Sequence, residues 1–165
     1  MNEKIIEKLT DMGACNAGME YIRSHRTMQE AWDKCERGDW MLWLLGRLAG
    51  PPESKSRKKL VLAACACARL SLRHAPADEK RPLAAIEMAE AWARGQDGVS
   101  LDDVRRTSDS AYAAAAAYAS ASASSAFAAY DADADAAIKK TLLQCAKVVR
   151  KMYPKAPRMK GEGKC

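Results

Sequence analysis

Two histidines, six cysteines and a few paired carboxylates are the residues of this 165-residue chain with the side chains to do chemistry. A hydrolase needs a nucleophile, a base within hydrogen-bond reach and a group to hold developing negative charge. His25 and His74 precede Thr27 and Pro76, each at the end of a helical stretch, where an imidazole bonds the last free carbonyls. Capping is the role expected of both. Cys65 and Cys67 form a C-x-C pair, but on a helix their side chains point about 200° apart and cannot hold one metal between them. Without a C-x-x-C, neither a metal nor a cofactor is expected, and the cysteines read as small buried helical residues. Glu87 and Glu90 have half the pattern of a carboxylate metal site, yet no E-x-x-H accompanies them. Partnering Arg69, Arg73 or Arg94 is their expected role. Walker, dinucleotide-glycine and H-E-x-x-H patterns are all missing, so the chain is not expected to be an enzyme.

Residues 37 to 39 spell Arg-Gly-Asp, an adhesion tripeptide in an extracellular setting. Helix punctuation explains it better: Gly38 is expected as a left-handed residue closing one helix and Asp39 as the N-cap of the next. Trp32, Trp40, Trp43 and Trp92 have the chemistry of binding anchors. Trp40 and Trp43 lie three apart in an apolar helix, however, and are expected inside the bundle.

The elements that position these residues all read as helices. Ile5, Ile6, Leu9 and Met12 share one helical face before Gly13, and a second helix covers residues 16 to 24. Thr27 with Glu30 has capping-box spacing for a third. Residues 40 to 49, apolar around most of their circumference, form a fourth, largely buried helix ended by Gly50-Pro51-Pro52. Ser54 or Ser56 caps a fifth, whose small residues from Ala63 to Ala68 let neighbours approach on every side; residues 58 to 74 are placed at the centre of the fold. Arg69 within it needs a carboxylate or a route to solvent. Pro82 opens a sixth helix, closed by Gly95, and Ser100 with Asp103 caps a seventh.

From residue 111 to 137, 16 of 27 residues are alanine. Alternating Ala-Ser and Asp-Ala runs have a strand-like period, but helix propensity outweighs it, with a break expected near Ser124 and Ser125. Were the stretch continuous, Tyr112 and Tyr130 would share a face packed on the bundle, leaving Tyr118, with Ala115 and Ala119, on a smooth opposite surface. That surface is the first candidate interface. Ile138, Leu142, Cys145, Ala146, Val149 and Tyr153 form the stripe of a last helix, ended by Pro154. The expectation is an all-α, single-domain bundle of about eight helices over residues 1 to 153, followed by a basic, disordered tail from 154 to 165.

Hydrophobic residues at 48% and charged residues at 29% suit a globular protein. The longest apolar stretch, residues 60 to 68, falls well short of the ~20 needed to span a bilayer, and no signal peptide is evident. A cytoplasmic protein is expected. The net charge of +6 gathers at Lys55, Arg57, Lys58, Lys59, Arg69 and Arg73 and again in residues 139 to 165. Arg57, Lys58 and Lys59 form the second candidate interface. Such patches attract nucleic acid or an acidic protein face; with no aromatic interleaved, nucleic-acid contact is expected to be weak, nonspecific and salt-dependent.

Residues 73 to 95, followed by a capped helix and an Ala-rich stretch, resemble a bacterial family of immunity proteins of toxin systems. Arg81, Pro82, Ala85, Ile86, Glu87, Ala91, Trp92, Ala93, Arg94 and Gly95 carry the likeness, which covers about residues 60 to 153. The upstream block from Gly13 to Leu48 resembles versions carried in bacteriophage genomes. The resemblance implies a helical, non-enzymatic protein that neutralises a partner by occluding it. Immunity proteins facing basic nuclease toxins are typically acidic, whereas this chain is basic, which disfavours that target. The function expected is therefore inhibition of a bacterial protein or ribonucleoprotein complex by steric blockade, as in a phage inhibitor of antiviral defence of the anti-CRISPR type, acting in the bacterial host cytoplasm. Immunity against a toxin and an accessory role on nucleic acid are the alternatives. Oxidation-free thiols follow from the same reading: denatured without reductant, the protein should show six reactive thiols in a thiol-reagent assay, and a smaller number would reveal a disulfide.

Overall fold

The computed structural model describes residues 1–72, 78–123 and 132–159, with residues 113–123 and 132–135 described as backbone only. Eight helices make up the fold among the described residues: α1 (Glu3–Asp11), α2 (Asn16–Arg23), α3 (Met28–Lys34), α4 (Gly38–Leu48), α5 (Lys55–Ser71), α6 (Arg81–Arg94), α7 (Leu101–Ala123) and α8 (Ala132–Met152). The all-α architecture is as expected, and no described helix is long and apolar enough to cross a membrane.

Local chemistry sets the boundaries. Thr27 accepts a hydrogen bond from the Glu30 amide at the start of α3, and Ser54 accepts one from Arg57 at the start of α5. Ser100 and Asp103 bond each other's amides at 2.9 and 3.2 Å before α7, the reciprocal box the sequence predicts. Gly95 closes α6 in the left-handed region at φ 74°. His25 bonds the Tyr21 carbonyl at 2.8 Å, as expected of an imidazole at a helix end; His74 lies outside the described residues.

α5 packs on α4, α6 and α8, the central place its small residues predict, although it runs from Lys55 to Ser71 rather than from 58 to 74. α8 also packs on α4, while α7 packs on α6. Arg69 finds its carboxylate on α6: Glu90 accepts from Arg69 at 2.9 and 3.1 Å and from Arg94 at 3.1 Å. Those bonds, Arg69's above all, hold the Glu90 carboxyl below its usual range. The core gathers Leu9, Trp32, Met41, Leu60, Ala146 and Val149 from α1, α3, α4, α5 and α8.

Three expectations are corrected. Gly38 is not a left-handed terminator and Asp39 is not an N-cap; both lie inside α4, Arg37 holds the cap position, and among the described residues the positive-φ glycines are Gly13, Gly95 and Gly98. Gly38 is glycine because α8 passes directly over it: a Cβ there would collide with the Cys145 Cβ and lie 2.6 Å from the Ala146 amide nitrogen. Tyr112, expected to pack on the bundle, is 78% exposed; Phe127 and Tyr130 lie outside the described residues.

The third correction concerns the chain after α8. Instead of leaving the fold at residue 154, it folds back along α3. The Trp32 indole donates to the Tyr153 carbonyl at 2.8 Å, Gln29 accepts from the Ala156 amide at 2.8 Å, and Met159 is only 2% exposed. Those hydrogen bonds, Ala156 against the core and one buried methionine dock the segment, a signal too small to stand out as a stripe. Residues 160–165 lie outside the described residues. Deleting residues 155 to 165 should therefore destabilise the protein by about 2–3 kcal/mol and lower its Tm by roughly 5–10 °C; an unchanged Tm in a calorimetric scan would show that the segment adds nothing.

Candidate functional site

The corner between α1 and α2 is built from small residues. α1 ends in a turn closed by hydrogen bonds from the Gly13 amide to the Thr10 carbonyl and from the Ala14 amide to the Leu9 carbonyl, at 2.9 and 3.0 Å, with Gly13 at φ 81°. Ala14, Cys15 and Gly18 follow, so the first turn of α2 carries little bulk on the side that faces α4. α4 answers with Trp40, Trp43 and Leu44 at spacings of three and four. Large rings opposite small residues leave a cleft of about 380 Å³ between them, floored by Met19, Met28, Trp32 and Met41.

Hydrogen bonds fix its walls. The Tyr21 hydroxyl donates to the Ala31 carbonyl at 2.9 Å, tying α2 to α3, and the Tyr21 ring lies 5.7 Å from Trp40, tilted by 56°. Trp40 and Trp43, expected inside the bundle, are instead half-buried, each with one side on the core and one on the cleft. Their rings are held by cations: the Arg37 guanidinium lies 4.4 Å from the Trp40 centroid and that of Arg47 lies 5.7 Å from Trp43. Arg37 is itself clamped by Asp39 at 2.6 and 2.9 Å.

The cleft's lining is apolar apart from Cys15, an exposed free thiol, and Tyr21, Cys35 and Asp39. Burial, reinforced by neighbouring Cys35, pushes the Tyr21 phenol up to about 12, and burial likewise raises the Cys35 thiol, which donates to the Arg37 carbonyl at 3.4 Å. Both stay neutral at physiological pH. Asp39 is held below the usual carboxylate range by Arg37 and is occupied by that pairing. What the arrangement can do is accept an apolar group of one or two large side chains' bulk. Among the described residues no group of three or more His, Cys, Asp or Glu could hold a metal ion.

The residues singled out from the sequence fall elsewhere. Arg57 donates to the Gly50 and Ala49 carbonyls at 3.1 and 3.3 Å, capping the end of α4. Lys58 pairs with Glu53 at 3.3 Å and lies 5.2 Å from the Trp92 ring, while Lys59 sits 4.3 Å from that of Tyr153. This basic trio is thus engaged with the fold itself and does not line the cleft. Ala115, Tyr118 and Ala119 lie on α7, but their side chains lie outside the described residues. Sequence reasoning passed over Ala14, Cys15, Gly18, Tyr21 and Ile22. The available signal was Gly18, which sits in a helix where alanine would serve better unless space is wanted.

The chain matches no family model, no curated protein and no solved structure.

Gly18 offers a clean probe of the cleft, because a Cβ there would meet only the Cys15 Sγ at 3.4 Å, ordinary contact. Gly18→Met should fill the space while stabilising the helix by about 0.5–1 kcal/mol. An environment-sensitive apolar dye should brighten on the natural protein and not on the variant; equal brightening would show that the cleft does not admit it.

Proposed function

We propose that this chain is a non-enzymatic binding protein that grips a partner protein by taking an apolar side chain into the α1–α4 cleft, and that it blocks a bacterial protein or ribonucleoprotein machine by occupying its surface. The observation that carries this reading is the preformed cleft of about 380 Å³ with half-buried tryptophans on its wall. Binding hot spots are central, desolvated pockets that receive a single large anchor, and rings already fixed by cations lose little conformational freedom when one arrives. The resemblance of residues 73 to 95 to immunity proteins supports action by occlusion, and the phage-like upstream block, which supplies all of the cleft's lining but Leu9, supports a target in bacterial antiviral defence.

The nucleic-acid alternative has less support, because Arg57, Lys58 and Lys59 are taken up by carbonyls, a carboxylate and aromatic rings. Exposed Lys139, Lys140, Lys147 and Lys151 on α8 leave only a weak, salt-sensitive contact to backbone phosphates.

Affinity capture from bacterial lysate with matched variants tests the proposal. A specific partner should be retained by the natural protein and by the double variant Ala115→Arg with Ala119→Arg, and lost by at least about tenfold with Gly18→Met, a change of ~1.4 kcal/mol. The opposite pattern would move the interface to α7.

A further inference from the structure

Resting on the cleft as the partner site, we propose that its mouth selects an anchor flanked by carboxylates: the partner presents an apolar side chain from an acidic protein surface, and Arg47 reads the charge beside it. The two guanidiniums at the mouth differ in one respect. Arg37 is satisfied by both oxygens of Asp39, so that side is locally neutral. Arg47 is exposed, stands over Trp43, and has an amino group 3.9 Å from where a Gly13 Cβ would be; Trp43 and Gly13 both line the cleft. Among the described residues no carboxylate pairs with Arg47.

The mouth therefore carries one uncompensated positive charge over an apolar interior. An apolar anchor entering alone would leave that guanidinium facing a desolvated rim, whereas an anchor with a neighbouring carboxylate gives it a planar, two-pronged partner. A lysine or arginine beside the anchor would meet like charge.

The test uses three acetylated and amidated tripeptides with a central phenylalanine flanked by two glutamates, two glutamines or two lysines, read by the tryptophan indole resonances in nitrogen-15 NMR titrations. Glutamate should bind about three- to tenfold more tightly than glutamine, with lysine weakest, and the spread should shrink in 0.5 M salt. Arg47→Glu should reverse the order, and Gly18→Met should abolish the response to all three. Equal affinities, or an order that Arg47→Glu leaves unchanged, would overturn the charge selection while the cleft reading stands. Indoles unmoved by any peptide would overturn the cleft reading as well. Octanoate saturating the same resonances where the peptides fail would assign the cleft to a free amphiphile, and indole shifts that follow protein concentration alone would assign it to a second copy of the chain; either result overturns the proposal.

Discussion

α8 can pack against both α4 and α5 because each contact is made by atoms that take up almost no room. Gly38 lets the Cys145–Ala146 backbone lie on the start of α4, and Cys67 meets Cys145 across the α5 interface, each thiol directed at the other's carbonyl at 3.7 and 4.0 Å. Burial, then the neighbouring Cys145, raises the Cys67 thiol and keeps it protonated, able to donate. Ala146 and Val149 are fully buried as a result. A larger side chain at position 38 would push the helices apart and shift the layer in which Trp32, Met41 and Leu60 pack. The remainder of the fold hangs on that layer, since α3 has no long helical interface of its own.

What α3 has instead is a set of directed bonds to α8 and the segment after it. Arg150 donates to the Trp32 and Cys35 carbonyls at the end of α3, and the Trp32 indole and Gln29 side chain hold the chain at Tyr153 and Ala156. A guanidinium at a helix C-terminus satisfies carbonyls that have no intrahelical partner and offsets the negative end of the dipole. Those bonds set where α3 lies, and the Tyr21 hydroxyl on Ala31 transmits that position to α2. The cleft's own lining runs only from Leu9 to Leu44, but the position of α3 within it is set by residues more than a hundred positions away, which is why its shape belongs to the fold and not to any one hairpin.

Much of this was legible residue by residue. Helical stripes, the caps at Thr27 and Ser100, a serine cap for α5, the Gly95 terminator and a carboxylate for Arg69 from Glu87 or Glu90 follow from spacing and from elementary costs of leaving polar groups unpaired. Long-range features were not legible. Gly38 looks like punctuation because it falls between two helical stretches, where glycine usually closes one of them; only the approach of α8 shows that its missing Cβ matters, not its φ. Met159 is one apolar residue among charges, and periodicity cannot detect a single anchor. Trp40 and Trp43 have the spacing of core residues, and they are half core; a void arises from what faces them, and Ala14, Cys15 and Gly18 face them from another helix.

The basic residues show the same division between sign and use. Composition places positive charge at the start of α5, yet three of the cations there already have partners within the chain: a helix end for Arg57, Glu53 and Trp92 for Lys58, Tyr153 for Lys59. A charge that caps a helix or pairs with a carboxylate carries less free potential toward an arriving molecule, because moving it would undo contacts the fold relies on. Counting lysines and arginines therefore overstates how much of a surface can bind. The charge that matters to a partner is the one left without a carboxylate beside a space that can be filled, and that condition brings Arg47 forward although no cluster in the sequence marks it.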